Sequence, residues 1–302
     1  MDNDYISVTE IAGDEVTQEQ VDRLCNRYYW AGQYCNGKDV VEVACGTGQG
    51  LGYLAGIAKS LEAGDYSDAI LSIARQHYGK RIALRQFDAQ EMPFADRSKD
   101  VIIIFEALYY IPDANRFIQE CARILRPGGK ILVVNANKDL FDFNPSPYSY
   151  EYHGVRELKD LFERHGFGTE FFGDTPLGSV SIKQKILRPV KKAVISMGFM
   201  PKSMAAKKIL KKLVFGNLVR MPAEIGPQIT QINADLKTEK NPQITQIGAD
   251  LKAEKGPQIT QISQNEKDEE TLYRTHYVEP DRISSNRSCT THKAIYCVAS
   301  RE

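Results

Sequence analysis

The sequence has no excess of either charge, no membrane-spanning apolar run and no closely paired cysteines. Its 302 residues include 39 Lys and Arg and 39 Asp and Glu, so net charge predicts neither a nucleic-acid nor a membrane partner. Six cysteines without a C-x-x-C pair or metal-ligand spacing are expected to be reduced thiols, and no metal site is predicted. Because no signal peptide pattern is present either, we expect a cytoplasmic protein.

One long segment lacks acidic residues altogether. Residues 175–223 contain nine Lys and two Arg but no Asp or Glu. Within this segment, residues 204–219 have the apolar spacing of an amphipathic helix. Its polar face carries Lys207, Lys208, Lys211 and Lys212. Such a helix is typical of contact with an anionic membrane surface or an anionic substrate, and the alternative is a lid with solvated lysines.

A 15-residue repeat follows the cationic segment. Residues 226–240 recur at 241–255 with three substitutions, and their first half recurs from Gly256. Each unit offers only a few apolar side chains to bury, which is too little for an independent core. We therefore expect a recently duplicated, flexible and solvated insertion rather than a functional module.

The most informative segment is residues 40–52, where an apolar run changes into alternating glycines. The apolar run, which carries the single acid Glu42, predicts a buried parallel strand. Four glycines follow it: Gly46, Gly48, Gly50 and Gly52. They allow the backbone to turn tightly and approach a ligand, and the next helix offers its free N–H groups. The segment predicts a binding loop for a nucleotide-type cofactor.

Strand and helix patterns alternate along the first half of the chain. Thr17 and Gln20 form the sequence signature of a capping box, which predicts the start of the first helix. Further strands are predicted at 60–65, 83–88, 101–105 and 130–134, and further helices at 68–78, 115–125 and 155–165. This alternation predicts an α/β fold with a doubly wound, mostly parallel sheet. Residues 291–300 alternate like a strand and are expected to return to the sheet.

Three acids stand where predicted strands end. Asp65 follows the glycine loop by about 20 residues, where a carboxylate can accept both hydroxyls of a ribose. Asp88 is placed to accept from an adenine amino group, with Ala89 and residues 92–94 beside the ring. Glu106 follows the next strand. A dinucleotide is the weaker alternative, because Leu51 stands where the third glycine of its binding motif belongs.

Together these motifs resemble the class I S-adenosylmethionine-dependent methyltransferases, particularly the broad type 11 group. The likeness covers Asp39 to about Gly173 and the final strand. It implies a seven-stranded Rossmann-like sheet. The long helical and repeat insertion before the last strand is expected from this sequence itself, and its 15-residue repeats depart from the pattern of the similar proteins. Residues 135–149 and 220–224 are more loosely similar to methyltransferases associated with bacterial surface-polysaccharide synthesis.

The resemblance implies that the cofactor is S-adenosylmethionine. The glycine loop would hold its amino-acid end, Asp65 its ribose and Asp88 its adenine. The full set of implied cofactor contacts is Glu42, Ala44, Gly46, Thr47, Gly48, Asp65, Tyr66, Asp88, Ala89, Phe105 and Glu106.

Methyl transfer from a sulfonium makes modest demands on the protein. The donor is already activated, so the chain must mainly align the reacting atoms and exclude water. Since ligands of such sheets lie beyond the carboxyl ends of the strands, we expect Glu106 and Tyr109 beside the methyl group. His153 is the candidate general base by position, and the alternative is a hydrogen-bonded surface histidine. Glu106 alternatively binds the methionine portion of the cofactor.

We therefore expect one methyltransferase domain with a long insertion. The expected parts are an N-terminal helical cover at 1–38, a core at 39–175 and 288–302, a cationic helical insertion at 176–225, the repeats at 226–270 and a linker at 271–287. The expected reaction is methyl transfer to a small-molecule or glycan-type acceptor, with oxygen as the favoured target. A lipid or lipid-linked acceptor at the membrane surface and a catalytically silent scaffold are the alternatives. A nucleic-acid acceptor is not expected, because the chain has no Asn/Asp-Pro-Pro-Tyr-like sequence.

Overall fold

The computed structural model describes residues 5–177, 218–227, 273 and 275–301. Two predicted features lie outside these residues: the 15-residue repeats beyond residue 227 and the cationic helix with Lys207, Lys208, Lys211 and Lys212. The described part of the chain contains no helix that is both long and apolar enough to cross a membrane.

Ten strands and five α-helices make up the described residues. The strands are β1 (Glu15–Val16), β2 (Asp39–Val43), β3 (Ser60–Asp65), β4 (Ala83–Gln86), β5 (Lys99–Phe105), β6 (Leu125–Ala136), β7 (Phe167–Pro176), β8 (Val219–Arg220), β9 (Asp281–Arg282) and β10 (His292–Arg301). The helices are α1 (Gln18–Cys35), α2 (Leu51–Ala55), α3 (Asp68–Tyr78), α4 (Ala114–Ile124) and α5 (Val155–Glu163). Two short 3-10 helices cover Tyr5–Val8 and Leu108–Tyr110.

Eight of the strands form one sheet in the order β4-β3-β2-β5-β6-β10-β7-β9. The pairs from β4 to β6 are parallel, whereas β10 runs antiparallel to both of its neighbours. The chain winds outward from β2 through β3 to β4 and then returns to β5 on the other side. The strand order therefore reverses between β2 and β5, which is where open α/β sheets bind their ligands.

Each face of the sheet has its own apolar cluster, because the residues of β5 alternate between the two faces. Ile102 and Ile104 pack with buried residues of α4 and α5. Val101, Ile103 and Phe105 pack with buried residues of α1. A strand buried on both faces has a continuous apolar run rather than a polar alternation. This explains why the segment from Val101 to Phe105 has no polar residue.

The mostly parallel, Rossmann-like architecture confirms the predicted fold class. The described sheet has eight strands where the sequence predicts seven, and the two-residue strand β9 extends its edge. The final segment does return to the sheet, since β10 pairs with β6 and β7. β6 begins at Leu125 instead of the predicted residue 130. It runs through the Pro127–Gly129 turn because the pairing of β5 with β6 shifts register there.

Helix α1 begins where the capping box predicts. The Thr17 side chain accepts from the Gln20 amide at 3.3 Å, and the Gln20 side chain accepts from the Thr17 amide at 3.1 Å. The helix lays Tyr28, Tyr29 and Trp30 onto the sheet, all of them almost fully buried. Their burial shows that these rings are part of the apolar core between α1 and the sheet.

A short segment after the undescribed residues 178–217 docks beside the glycine loop. The Ile225 amide donates to the Gln49 carbonyl at 2.9 Å, within that loop. The buried carboxylate of Glu224 lies 2.8 Å from both Arg81 Nη2 and His77 Nε2. The end of the predicted cationic insertion is therefore part of the wall behind the loop.

Candidate active site

A cavity of about 480 Å³ lies at the carboxyl ends of the central strands. Its floor comes from the ends of β2, β3 and β5, and its cover from α1 and the first 3-10 helix. This position coincides with the reversal of strand order between β2 and β5. The fold therefore places the cavity where a nucleotide-type cofactor is expected.

The backbone is strained at the ends of both central strands. Ala44, directly after β2, has φ of 54°, and Glu106, directly after β5, has φ of 51°. Residues with a Cβ rarely adopt positive φ, and such outliers cluster at functional sites. Both residues line the cavity. The two strained turns therefore point to this edge of the sheet as the site.

The glycine loop holds its shape through a tyrosine of α3. The Tyr78 hydroxyl donates to the Gly48 carbonyl at 2.7 Å and accepts from the Gly52 amide at 3.2 Å. Gly48 has φ of 83°, and a Cβ at this position would lie 2.9 Å from Leu51 Cδ1. Only glycine satisfies both the backbone conformation and this close packing.

Glu42 lines the cavity, and its carboxylate is buried. The Tyr28 hydroxyl donates to Glu42 Oε1 at 2.6 Å, whereas Glu42 Oε2 has no hydrogen-bond partner among the described residues. Burial raises the pKa of Glu42 to about 7, although the Tyr28 hydrogen bond and the Arg27 charge oppose this rise. An unpartnered buried carboxylate oxygen fits a cationic donor such as the ammonium group of S-adenosylmethionine.

Two further carboxylates lie along the same edge. Asp65 Oδ2 accepts from the Gly46 amide at 3.0 Å and Oδ1 accepts from the Ser67 amide at 2.9 Å, which ties β3 to the glycine loop. Burial raises the pKa of Asp65. Asp88 accepts from the Gln90 amide at 2.8 Å. Both side chains line the cavity and fit the ribose hydroxyls and the adenine amino group of the same cofactor.

Glu106 is fixed in place by three donors. Glu106 Oε2 accepts from the Ala136 amide at 3.0 Å and from the Tyr109 hydroxyl at 3.3 Å, and Oε1 lies 3.4 Å from Arg23 Nη2. The Tyr109 ring stacks on Tyr152 with centroids 4.1 Å apart. Burial raises the pKa of Tyr109 well above its usual range. The Tyr109 phenol is therefore neutral, and its hydroxyl donates to Glu106.

Most of the predicted site residues meet at this cavity. Of the implied cofactor contacts, the cavity is lined by Glu42, Ala44, Gly46, Thr47, Asp65, Tyr66, Asp88, Ala89, Phe105 and Glu106. Gly48 lies just behind this lining, packed against Leu51 and Tyr78. Tyr109 also lines the cavity. The roles assigned to these residues stay predictions.

His153 is not brought to this cavity. It lines a second hollow of about 270 Å³, together with Glu151, Asp160 and Arg164. Its Nε2 lies 3.7 Å from Glu151 Oε2, and burial lowers the pKa of His153. Ser146 and Tyr150 of the loop before α5 do line the cofactor cavity, but His153 at the end of that loop does not.

Sequence reasoning missed two cavity-lining cations on α1. Arg23 and Arg27 are one helical turn apart and both line the cavity. Each has a buried Nε atom without a hydrogen-bond partner among the described residues. Their place in the sequence could have indicated this, because they stand next to Leu24 and Tyr28, respectively, on the buried side of α1. A charged residue on a buried face needs a partner.

Comparison with known proteins gives matches over this same half of the chain. Residues 41–133 match the family described as methyltransferase domain. A probable S-adenosylmethionine-dependent methyltransferase of Mycolicibacterium smegmatis is 34% identical over 140 residues, which cover 45% of this chain and 54% of that protein. The fatty-acid O-methyltransferase of the same organism is 37% identical over 106 residues, which cover 33% of this chain and 38% of that protein.

The chain thus spans about half the length, or less, of these curated relatives. Among solved structures, the YcgJ protein of Bacillus subtilis superposes with a TM-score of 0.50 and 14% sequence identity. That match covers 91% of this chain and 98% of the other. At this identity the likeness concerns the fold alone.

Proposed function

We propose that this chain, an enzyme with a methyltransferase domain at residues 41–133 and S-adenosylmethionine as its cofactor, methylates an oxygen atom of a small-molecule or glycan-type acceptor. The observation that carries the proposal is the order of carboxylates along one cavity. Glu42 with its unpartnered oxygen, then Asp65, then Asp88 lie at or just beyond the carboxyl ends of β2, β3 and β4. Their order matches the ammonium, ribose and adenine of the cofactor.

S-adenosylmethionine supplies an activated methyl group on a sulfonium when it is bound. The chain itself holds the cofactor through the three carboxylates and covers it with α1 and the first 3-10 helix. Tyr5 of that 3-10 helix packs edge-on against Tyr110 and Tyr148, with centroids 5.6 and 6.3 Å apart. This cover keeps water from the reacting atoms, which is the main demand of such a displacement.

The acceptor end of the cavity combines aromatic rings with hydroxyl groups. Tyr109, Tyr110, Tyr150 and Ser146 line it beside Glu106. Tyrosine faces pack against a sugar or another ring, while the hydroxyls and the Glu106 carboxylate orient an acceptor hydroxyl. The name of the Mycolicibacterium fatty-acid O-methyltransferase supports oxygen as the target atom.

Methyl uptake from S-adenosylmethionine labelled in its methyl group tests the proposal. The acceptor panel contains sugars, phenols, fatty acids and amines, and the product is assayed for an ester or ether linkage. We expect label in oxygen acceptors, and a loss of at least tenfold in Asp65→Ala at limiting cofactor, because this change leaves ribose hydroxyls unpaired. Label confined to amines would contradict oxygen transfer. Cofactor binding without any uptake would favour the silent scaffold.

A lipid acceptor is the second candidate, and the fatty-acid O-methyltransferase match favours it. The cationic helix that would bring such an enzyme to a membrane is outside the described residues. Flotation with vesicles of anionic lipid separates the two candidates. A lipid-acting enzyme binds these vesicles, and the quadruple Lys207, Lys208, Lys211 and Lys212 to Glu variant loses that binding. Absence of vesicle binding in the unmodified protein would remove the candidate.

A further inference from the structure

Helix α1 carries two guanidinium groups that have no part in the carboxylate contacts proposed for the cofactor. Arg23 and Arg27 both line the cavity, and both Nε atoms are buried without a partner among the described residues. A guanidinium has five N–H donors in a fixed fork that matches carboxylate and phosphate oxygens. Most donors of these two side chains therefore have no described acceptor.

Glu106 is the carboxylate that contacts Arg23 among the described residues, and it is already engaged elsewhere. Glu106 approaches Arg23 through a single contact of 3.4 Å with Nη2. Its other oxygen accepts from the Ala136 amide and the Tyr109 hydroxyl. Arg23 thus has one long contact, with a carboxylate that other donors also hold, so its remaining N–H groups are available to a second anionic group.

The two arginines face different parts of the cavity. Arg27 lies over the Tyr28 ring at 5.7 Å, and its charge lowers the pKa of Glu42, which places it near the amino-acid end of the cofactor. Arg23 lies one turn nearer the start of α1 and contacts Glu106, which Tyr109 also contacts. Arg23 therefore borders the acceptor end.

We propose that Arg23 binds an anionic group of the acceptor, a carboxylate or a phosphate, and so selects acidic acceptors. This inference names the substrate class of the site and rests on the proposed function. The Arg23 side chain is 27% exposed, so it is accessible from the cavity yet sheltered enough for a charge-assisted hydrogen bond to be effective. Tyr110 and Tyr150 would contact the ring of such an acceptor.

A binding experiment tests this inference without methyl transfer. The protein loaded with S-adenosylhomocysteine is titrated calorimetrically with phenyl phosphate, benzoate and benzyl alcohol, which share a ring and differ in charge. We expect at least one of the two anions to bind about tenfold or more tightly than the alcohol. Arg23→Met should remove this difference, and Arg23→Lys should retain part of it because Lys keeps the charge but not the fork. Arg75→Met, on the exposed Asp68 pair of α3, is the matched control and should keep the full preference.

The cofactor's own carboxylate is the other anion that Arg23 could meet. S-adenosylhomocysteine has this carboxylate and methylthioadenosine lacks it, so the affinity of Arg23→Met for both compounds separates the two sources. We expect both affinities to stay within about twofold of the unmodified protein. Selective loss of S-adenosylhomocysteine binding would overturn the inference, as would equal binding, or no measurable binding, of the three ring probes. Failure of methyl uptake with anion preference intact would contradict the proposed function alone.

Discussion

Glu42 has a chemical state that depends on what occupies the cavity. Its carboxyl group is 2% exposed, and burial raises its pKa to about 7 from a usual value of 4.5. Without a ligand, the group is therefore half protonated near neutral pH. A cationic donor at the free Oε2 atom would favour the charged form and lower this pKa.

The first prediction concerns how cofactor affinity changes with pH. Because the ammonium group binds the carboxylate form, the affinity for S-adenosylhomocysteine should rise between pH 6 and pH 8 and level off above the Glu42 pKa. Calorimetry at these pH values measures it. Glu42→Gln cannot ionise, so its affinity should be at least tenfold lower at pH 8 and nearly independent of pH. A flat profile in the unmodified protein would show that Glu42 does not hold the ammonium group.

The same residue predicts how the stability of the cofactor-free protein depends on pH. A carboxyl whose pKa is higher in the folded than in the unfolded state favours folding when it is protonated. Its contribution is therefore present below pH 4.5 and is lost as the pH rises through about 7, by up to about 3 kcal/mol. Denaturant unfolding should show this decline in the unmodified protein relative to Glu42→Gln. If the unfolding free energies of the two proteins change with pH in the same way, Glu42 is not a buried carboxyl with a raised pKa.

At the scale of elements, the glycine loop depends on α3 and on the docked segment around Glu224. The loop residue Gly48 packs against Leu51 and Tyr78, and a Cβ at Gly52 would overlap the Glu224 side chain. The loop is thus clamped from two sides in addition to its own backbone hydrogen bonds, such as that from the Gly48 amide to the Cys45 carbonyl. Its shape should be sensitive to changes that never touch the cofactor.

Gly48→Ala tests this clamp against a matched control. Gly48 and Gly79 both have positive φ, but a Cβ at Gly79 would meet nothing within 4 Å. Gly79→Ala should cost about 1 kcal/mol of unfolding free energy through backbone strain and leave cofactor affinity unchanged. Gly48→Ala should cost about 2–3 kcal/mol and also weaken S-adenosylhomocysteine binding. Equal effects of the two substitutions would mean that the loop is not tightly packed.

Glu224 provides a second element-scale prediction. Although burial opposes it, hydrogen bonds from Arg81 and His77 lower the pKa of this carboxylate. Glu224→Gln should therefore reduce the unfolding free energy by about 2 kcal/mol at pH 7, and the difference should shrink as the pH falls below 4.5. Asp68→Asn removes an exposed ion pair with Arg75 and should change stability by less than about 0.5 kcal/mol. If both variants lose the same unfolding free energy, the segment around Glu224 does not stabilise the glycine loop.

Elements with a local signature were predictable from the sequence. The capping-box pair Thr17 and Gln20 predicts the start of α1, and the apolar run from Val101 to Phe105 predicts a buried strand. The place of Asp65 and Asp88 in the cavity was predictable because both stand at the ends of predicted strands of a parallel sheet. The position of Arg23 at the cavity was not predictable in this way, because it depends on how α1 is rotated against the sheet. The hollow that holds His153 likewise depends on the path of a loop, which no periodicity specifies.

At the scale of the whole molecule, the strands that line the cavity come from the first half of the chain, and the last strand of the chain completes their sheet. β10 inserts between β6 and β7, so residues far apart in the chain share one sheet. The Gly226 amide donates to the Tyr273 carbonyl at 2.8 Å, and the Tyr29 hydroxyl donates to the Gly226 carbonyl at 3.1 Å. Gly226 and Tyr273, the described residues that flank the undescribed stretch 228–272, therefore lie side by side near α1.

This arrangement predicts that the repeats can be removed. Replacing residues 228–272 with a short Gly/Ser linker should leave the melting temperature within a few degrees, because the ends already meet and a shorter loop costs less entropy to close. Thermal unfolding and S-adenosylhomocysteine affinity measure the outcome. A large drop in melting temperature would show that the repeats pack on the core.

The central claim is that the cavity at the ends of β2, β3 and β5 binds S-adenosylmethionine. Calorimetric titration of the full chain with S-adenosylmethionine and S-adenosylhomocysteine, with NADH and NADPH as controls, tests it most directly. We expect saturable binding of the first two compounds at one site, loss of this binding in Asp65→Ala, and no binding of the nicotinamides. Binding of the nicotinamides, or of none of the four compounds, would contradict it.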